Sequence, residues 1–542
     1  MSNFKVSGVS TSDVQTPRMN INGRLLFSLI FIMGAWARLW HFNEVPPGLN
    51  QDEASIGLEA YYLLRFGVDR NGISFPVNFV SWGNGMDSLY GYVLMTFVAF
   101  GLTPLTVRLP SLLAGLLTLP LLFFVARRTI GYGFGLIAMM CLAISPWHIM
   151  LSRWGINENI LPLVFLAGYA SLLKSRPHNR WFIVACIFFG LSLYVYAATY
   201  VAVPIFLAGS VVVLLRARRV SARNLLLGLF VFGVLALPLF LFVAVNTFRL
   251  QTIHLGFITI PRLPVEARFE SMSSNFSSHP LQGMAHNLGA MMGLLWSQSD
   301  GLIWNTFDSY GYFYSWTFPL AIIGAVLLFF RCKAGSAPES CFLLIWLAAA
   351  ASIGLVQEVN INRLNLIFIP LLLSVAYTLT SADRLFKGAG ALLTVIFLIG
   401  FAAFSYEYHG PKYQEQAKRE FFDGLVPALD FARKAGDNPI CVTDHANMPY
   451  IFALFSDPMS PAEYLPTIEY SNPSAVFRPV RKLGRYTFGV DNCSRDPRTV
   501  FVVENETPPR LSISYSAHRF SRYQVLIPQS WPKYSGKDQG SG

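Results

Sequence analysis

"RLLFSLIFIMGAWARLWHFNEVPPGLNQDEASIGLEAYYLLRFG", residues 24–67, decides how the chain is read. Its first half is an apolar run long enough to cross a hydrocarbon core about 30 Å thick, and a basic residue opens it. No A-x-A cleavage site follows, so the run is expected to stay as a first membrane helix rather than leave as a signal peptide. Its second half places two adjacent acids, Asp52 and Glu53, just beyond that span. "EASIGLEAYYLLRFG" has helical spacing and ends at Gly67, with Asn50 and Glu53 in the spacing of a capping box. Acids in a first helical turn also complement the helix dipole. The pair therefore has a purely local explanation. It has a second one, because a partly desolvated carboxylate at a membrane surface can act as a general base toward a hydroxyl.

The rest of the chain repeats the first half of that stretch. Of 542 residues, 53% are hydrophobic and 13% charged, against about 25% charged in a typical soluble domain. Repeated apolar runs of roughly 17–22 residues make this a polytopic α-helical membrane protein, with the lipid bilayer as its solvent. The net charge of +11 does not indicate a nucleic-acid partner. Residues 407–542 hold 16 Lys+Arg against 15 Asp+Glu, so the excess belongs to the apolar part. There it sits in short clusters between runs (Arg127-Arg128, Lys174–Arg180, Arg216–Arg223, Arg331–Lys333, Arg384–Lys387), the pattern of cytoplasmic loops.

Placing every cluster in the cytoplasm requires an even number of crossings between them. Hairpins fit at 133–150 with 159–173, 181–197 with 199–215, 225–245 with 315–331, and 341–357 with 364–380. With the first helix, 105–126 and 389–406, the count is about eleven. "LYGYVLMTFVAFG" at 89–101 must then lie along the interface rather than span. The expected plan is a disordered cytoplasmic tail (1–22), a transmembrane domain (23–406) in the plasma membrane, and an extracytoplasmic α/β domain (407–535) before a disordered end (536–542). A first outer loop (43–104) and a long outer loop (246–314) share the outer face with the 150–158 and 358–363 turns. In the C-terminal part, "EQAKREFFDGLVPALDFARKAG" reads as a helix and "NPICVTD", "TVFVVEN" and "YQVLIP" as strands. Cys141, Cys186, Cys332 and Cys341 read as small buried hydrophobes. Cys441 and Cys493 can pair if their domain faces an oxidising compartment.

The outer segments carry the polar residues that need explaining. Asp87 stands in "WGNGMDSLYGY". Arg153 and Glu158 stand in "SRWGINENI", either as an interfacial ion pair or as an anion-binding cation beside a second carboxylate. Asp300 and Asn305 lie among aromatics in "WSQSDGLIWNTFDSYGYFY", the composition of a sugar-binding cleft. Arg363 in "EVNINRLN" suits a phosphate or a lipid headgroup.

In these segments the chain resembles the C-type (GT-C) membrane glycosyltransferases, within them the protein O-mannosyltransferase and lipid A aminoarabinose transferase group. The likeness rests on "PPGLNQDEASIGLEAYYLL", then "VRLPSLLAGLLTLPLLFFVARRTIG", then "SRWGINENI", in that order, over about residues 25–175. It implies transfer of a sugar from a polyprenyl-phosphate carrier to a cell-envelope acceptor, with inversion at the anomeric carbon. By position, Asp52 would be the general base, Glu53 a partner that orients the acceptor or the donor, and Arg153 and Glu158 would complete the site. Two departures stand out. Asp87-Ser88 replaces the acid-Lys-Pro or His-Pro-Pro of those relatives, which leaves the donor-phosphate contact and any divalent metal open. Glu158 stands where they usually have Asp. No metal motif is present, and a lipid monophosphate donor tolerates that. A transporter or flippase of lipid-linked sugars is the alternative, and a non-catalytic envelope assembly protein a third reading. A transporter should bury charges mid-helix along a path, whereas here the acids sit at loops.

Overall fold

The computed structural model describes residues 21–82, 84–264, 279–308, 310–334, 338–385, 387–475, 477–494, 496–504, 506 and 514–529. Of the expected tails, 1–22 and 536–542, residues 1–20 and 536–542 lie outside these, whereas residues 21 and 22 already belong to the first helix. The helices α1 (Ile21–Leu39), α2 (Gln51–Phe66), α3 (Leu89–Val98) and α4 (Pro104–Thr129) open the chain. Among the described residues seven helices are long and apolar enough to cross a membrane: Pro104–Thr129, Thr199–Arg216, Ala222–Thr247, Ser315–Lys333, Pro338–Val356, Asn365–Ala382 and Ala389–Tyr408. Tyr132–Ala143 and Trp181–Ser192 are apolar but shorter. The expected count of eleven thus includes helices below that length or hydropathy. α3 has only ten residues and packs against α2, so it does not extend into a span.

Several expected boundaries move, each for a local reason. The helix expected over 133–150 breaks in two, because Ser145 caps a new start and Pro146 follows it at the first helical position. The segment expected as a long loop, 246–314, holds a hairpin, β3 (Ile253–Leu255) with β4 (Ile258–Ile260), and a helix, Pro280–Ser297. The helix expected over 415–436 is two helices, Pro411–Glu420 and Leu425–Lys434. They part at Gly424, whose φ of 94° favours glycine and where a Cβ would lie 2.0 Å from the Phe520 carbonyl. Cys332 and Cys341 are not two isolated hydrophobes. Cys332 stands near the end of Ser315–Lys333 and Cys341 near the start of Pro338–Val356, with Cα atoms 5.1 Å apart, and they form a disulfide.

The C-terminal domain is a seven-stranded sheet in the order β10-β11-β9-β5-β8-β7-β6. The central strands are β5 (Ile440–Val442), β8 (Tyr486–Phe488) and β9 (Val500–Val503), with β5 parallel to both neighbours. Around them lie β6 (Glu469–Tyr470), β7 (Val480–Leu483), β10 (Tyr515–Phe520) and β11 (Tyr523–Pro528). The three expected strands are β5, β9 and β11, and Cys441 is bonded to Cys493.

This domain docks on the first loop of the transmembrane part. Leu49 N–H donates to the Phe421 carbonyl at 2.6 Å, and Asn50 Nδ2 to that of Glu420 at 3.1 Å. Gly48, at φ 71°, lies so close that a Cβ would stand 2.2 Å from the Phe421 carbonyl oxygen. Gly48→Ala is therefore expected to loosen the docking by about 1–3 kcal/mol, from strain and overpacking together. Faster hydrogen exchange at residues 48–50 and 420–423 is the expected readout, and exchange at the wild-type rate would contradict it.

Candidate active site

The local rules that made "NQDE" a helix start hold in the structure. Asp52 N–H donates to Asn50 Oδ1 at 3.0 Å, and Asn50 N–H to Glu53 Oε2 at 3.0 Å, which closes the capping box. Gly67 ends α2 in the left-handed conformation. The two acids then diverge. Glu53 turns inward and is fully buried, paired with the equally buried Arg108 through bonds of 2.8 and 2.9 Å, and it accepts Gly155 N–H at 2.8 Å. Asp52 instead faces a cavity.

Buried arginines fix the segment that delivers Asp52. Arg153 donates to the carbonyls of Ala37, Arg38, Trp40, His41 and Val45 at 2.7–3.2 Å. Most of these are the carbonyls that α1 leaves without a partner at its C-terminus, where a cation is favoured. Arg108 adds the carbonyls of Pro46 at 2.9 Å and Gly48 at 2.8 Å. Arg38 ties the same helix to Leu142, Ala143 and His148. The whole path from α1 to α2 is thus held by guanidinium forks, whose planar donors suit such work.

The cavity has a volume of about 550 Å³ and gathers segments far apart in sequence. Asp52, Asp87, Glu158 and Arg363, four of the expected site residues, all line it. Asp87 is held by Asn78 Nδ2 at 3.2 Å, Tyr200 Oη at 3.0 Å and Ala197 N–H at 2.8 Å. Asn78 comes from β1 (Asn78–Ser81), which pairs Asp87 in β2 (Asn84–Asp87). The backbone carbonyl of Glu158 accepts from Asn365 Nδ2 at 2.6 Å, which ties the 157–160 turn to the helix that follows Arg363. Arg363 Nη1 donates to the Glu358 carbonyl at 2.7 Å.

The other expected residues lie elsewhere. Glu53 and Arg153 are not among the cavity's lining residues, and both are committed to the bonds above. Asp300 and Asn305 bond each other at 2.8 Å, and Asp300 Oδ2 also accepts Ile361 N–H at 3.0 Å. They brace the turn that carries Glu358 and Arg363 without lining the cavity. Asn78, Trp82, Tyr200 and Glu358 line it and were missed. Tyr200 reaches Asp87 across 113 residues of chain, so no local spacing marks it.

Behind α2, and buried with it, Arg70 Nε lies 3.1 Å from Glu59 Oε1. Burial pushes the Glu59 carboxyl from its ordinary 4.5 up to about 8, with the Arg70 guanidinium pulling it the other way. The folded chain then keeps a proton that the unfolded chain releases. Stability contributed at this site therefore falls as pH rises from the unfolded value toward the folded one. Glu59→Gln is expected to flatten that fall, seen as unfolding midpoints at about pH 5 and about pH 9 that lie closer together than in the wild type. Equal spacing in both proteins would contradict this assignment.

Among the described residues one group of three places metal-ligating atoms within 4.8 Å of each other: Asp444, His445 and Glu506, in the C-terminal domain. None of them lines the cavity. Glu506 is already engaged by the Thr443 hydroxyl and by Glu504 N–H at 2.7 Å.

Residues 89–245 match the family model of dolichyl-phosphate-mannose-protein mannosyltransferases. No curated protein matches the chain by sequence. Among solved structures, ArnT from Cupriavidus metallidurans bound to undecaprenyl phosphate aligns at 15% identity and a TM-score of 0.54, over 93% of this chain and 98% of that one. The archaeal oligosaccharyltransferase AglB from Archaeoglobus fulgidus, in complex with an inhibitory peptide and a dolichol-phosphate, aligns at 13% identity and a TM-score of 0.50 over 80% of this chain. The chain spans 64% of AglB's length. The fold is that of the GT-C membrane glycosyltransferases, as the resemblance in the first loops implies.

Proposed function

We propose that this chain is an inverting membrane glycosyltransferase that moves a sugar from a polyprenyl-phosphate carrier to a cell-envelope acceptor at the outer membrane face. One observation carries the reading: Asp52, Asp87, Glu158 and Arg363, from four separate segments, line one cavity. The acceptor hydroxyl attacks the anomeric carbon as Asp52 takes its proton. A carbon–oxygen bond forms on that face, and the bond to the carrier phosphate breaks on the other, its electron pair leaving with the phosphate. Arg363 is the cation placed to hold that phosphate. Asp87, with Tyr200 and Asn78, and Glu158 supply acceptors for sugar hydroxyls. Glu53 and the arginines Arg108 and Arg153 position Asp52, while Asp300 and Asn305 position Arg363. The partners are thus a lipid-linked donor, an acceptor glycan, lipid or protein, and the bilayer.

This reading uses the eleven-span plan, with the four shorter or less apolar helices Ile21–Leu39, Tyr132–Ala143, Leu161–Leu173 and Trp181–Ser192 added to the seven. The N-terminus is then cytoplasmic and the C-terminal domain extracytoplasmic. The test is turnover by the purified full chain in lipid nanodiscs, given a panel of undecaprenyl-phosphate and dolichyl-phosphate sugars. Release or transfer from one donor, with an inverted anomeric centre by NMR, is the expected result. Inertness toward every donor, with donor moved across sealed vesicles instead, would favour the transporter.

A further inference from the structure

Trp82 directly follows β1 and is 95% buried at the cavity wall beside Asp52. Its indole Nε1–H donates to Asp52 Oδ1 at 3.3 Å, toward the long end of such bonds. Its backbone stands at φ 54°, the left-handed region that turn residues such as Asn and Gly accept and a bulky aromatic seldom does. Strain of this kind persists only where the surroundings over-determine it. Here they do. The Arg70 guanidinium lies over the ring at 4.9 Å, and Arg70 is itself held by Glu59 at 3.1 Å and by Ser55 Oγ at 2.8 Å. The Tyr450 ring of the C-terminal domain meets the indole edge-on, with centroids 6.3 Å apart. Tyr464, also of that domain, donates its hydroxyl to the Arg70 carbonyl.

From this arrangement we infer that Trp82 is a positioning residue for Asp52, clamped between Arg70 and Tyr450 so that its N–H holds one carboxylate oxygen and sets the direction of the other. The inference rests on the reading of Asp52 as general base. It also gives the C-terminal domain a part in the reaction, because Tyr450 and Tyr464 complete the clamp. An indole that served only as core filler would need its volume but not its N–H. The N–H to a carboxylate favours the charged form, so its loss should make Asp52 harder to ionise.

The experiment separates volume from hydrogen bond. In the full-length protein, 3-benzothienylalanine is placed at position 82, an isostere with sulfur where the indole has N–H, and Trp82→Phe is made beside it. The pH at which Asp52 is half-labelled by a water-soluble carbodiimide is read by mass spectrometry, which needs no donor. The midpoint is expected to rise by about one pH unit in both variants. With the donor that the wild type turns over, kcat is expected to fall roughly tenfold at neutral pH with KM unchanged, and the acidic limb of the profile to move up in step. An unmoved midpoint in the isostere, with Asp52→Asn inactive, overturns the role of Trp82 alone. A fully active Asp52→Asn overturns the general-base reading beneath it, whatever the midpoint does.

Discussion

Asp52→Asn is expected to lower kcat roughly 1000-fold, within the range that a positioned general base contributes, while leaving the protein folded. The substitution keeps size and shape. The cap at the start of α2 uses the Asp52 backbone N–H and the Asn50 and Glu53 side chains, none of which changes. The amide can still accept from the Trp82 indole. What it cannot do is take the acceptor's proton. Carrier binding, measured separately as retention of radiolabelled undecaprenyl phosphate, should stay within a few-fold of wild type, since the phosphate is assigned to Arg363. Arg363→Gln should do the reverse, weakening carrier retention before it affects the proton step. Turnover by Asp52→Asn near the wild-type rate would remove the base from the mechanism.

Arg108→Ala carries the largest expected effect on stability. Glu53 and Arg108 are both fully buried, and the guanidinium also holds the Pro46 and Gly48 carbonyls. Removing it strands a carboxylate away from water, which costs about 3–5 kcal/mol where such pairs have been broken. It also frees the path from α1 to α2. Loss of monodisperse protein from detergent extracts, or a strongly lowered unfolding midpoint, is the expected outcome. Removing the carboxylate's charge as well, in Glu53→Gln with Arg108→Met, should recover part of the loss, because two neutral groups no longer need each other. If Arg108→Ala alone unfolds at the wild-type midpoint, the pair does not hold this segment.

The contrast between the two acids shows what local spacing can say. The cap was legible, since Asn50, Glu53 and Gly67 act within a turn or two of one helix, and such bonds depend on short-range geometry. The split of "DE" into one buried ion pair and one cavity wall was not. Glu53 meets Arg108 across 55 residues and Gly155 across 102. Arg153 shows the same limit from the other side. Its place beside an outer-loop acid suggested an anion site, yet its donors are consumed by the carbonyls that end α1. An arginine near a helix terminus can serve either end, and sequence does not say which one arrives.

Composition and period alone determined the class of this protein: a chain too apolar for water, cut into membrane-length helices by basic clusters, with a mixed α/β domain after residue 407. These follow from the solvent, which constrains every span in the same way whatever its neighbours are. The order of the first loops further suggested the GT-C fold. Only the tertiary structure decided which polar residues share a cavity, that Asn78 and Tyr200 hold Asp87, and that the C-terminal domain reaches Asp52 through Tyr450 and Trp82. Tyr200 meets Asp87 across 113 residues, Tyr450 belongs to a separate domain, and the nearer Asn78 is brought to Asp87 by the pairing of β1 with β2. Their partners are chosen by packing in three dimensions, for which a linear pattern carries no period.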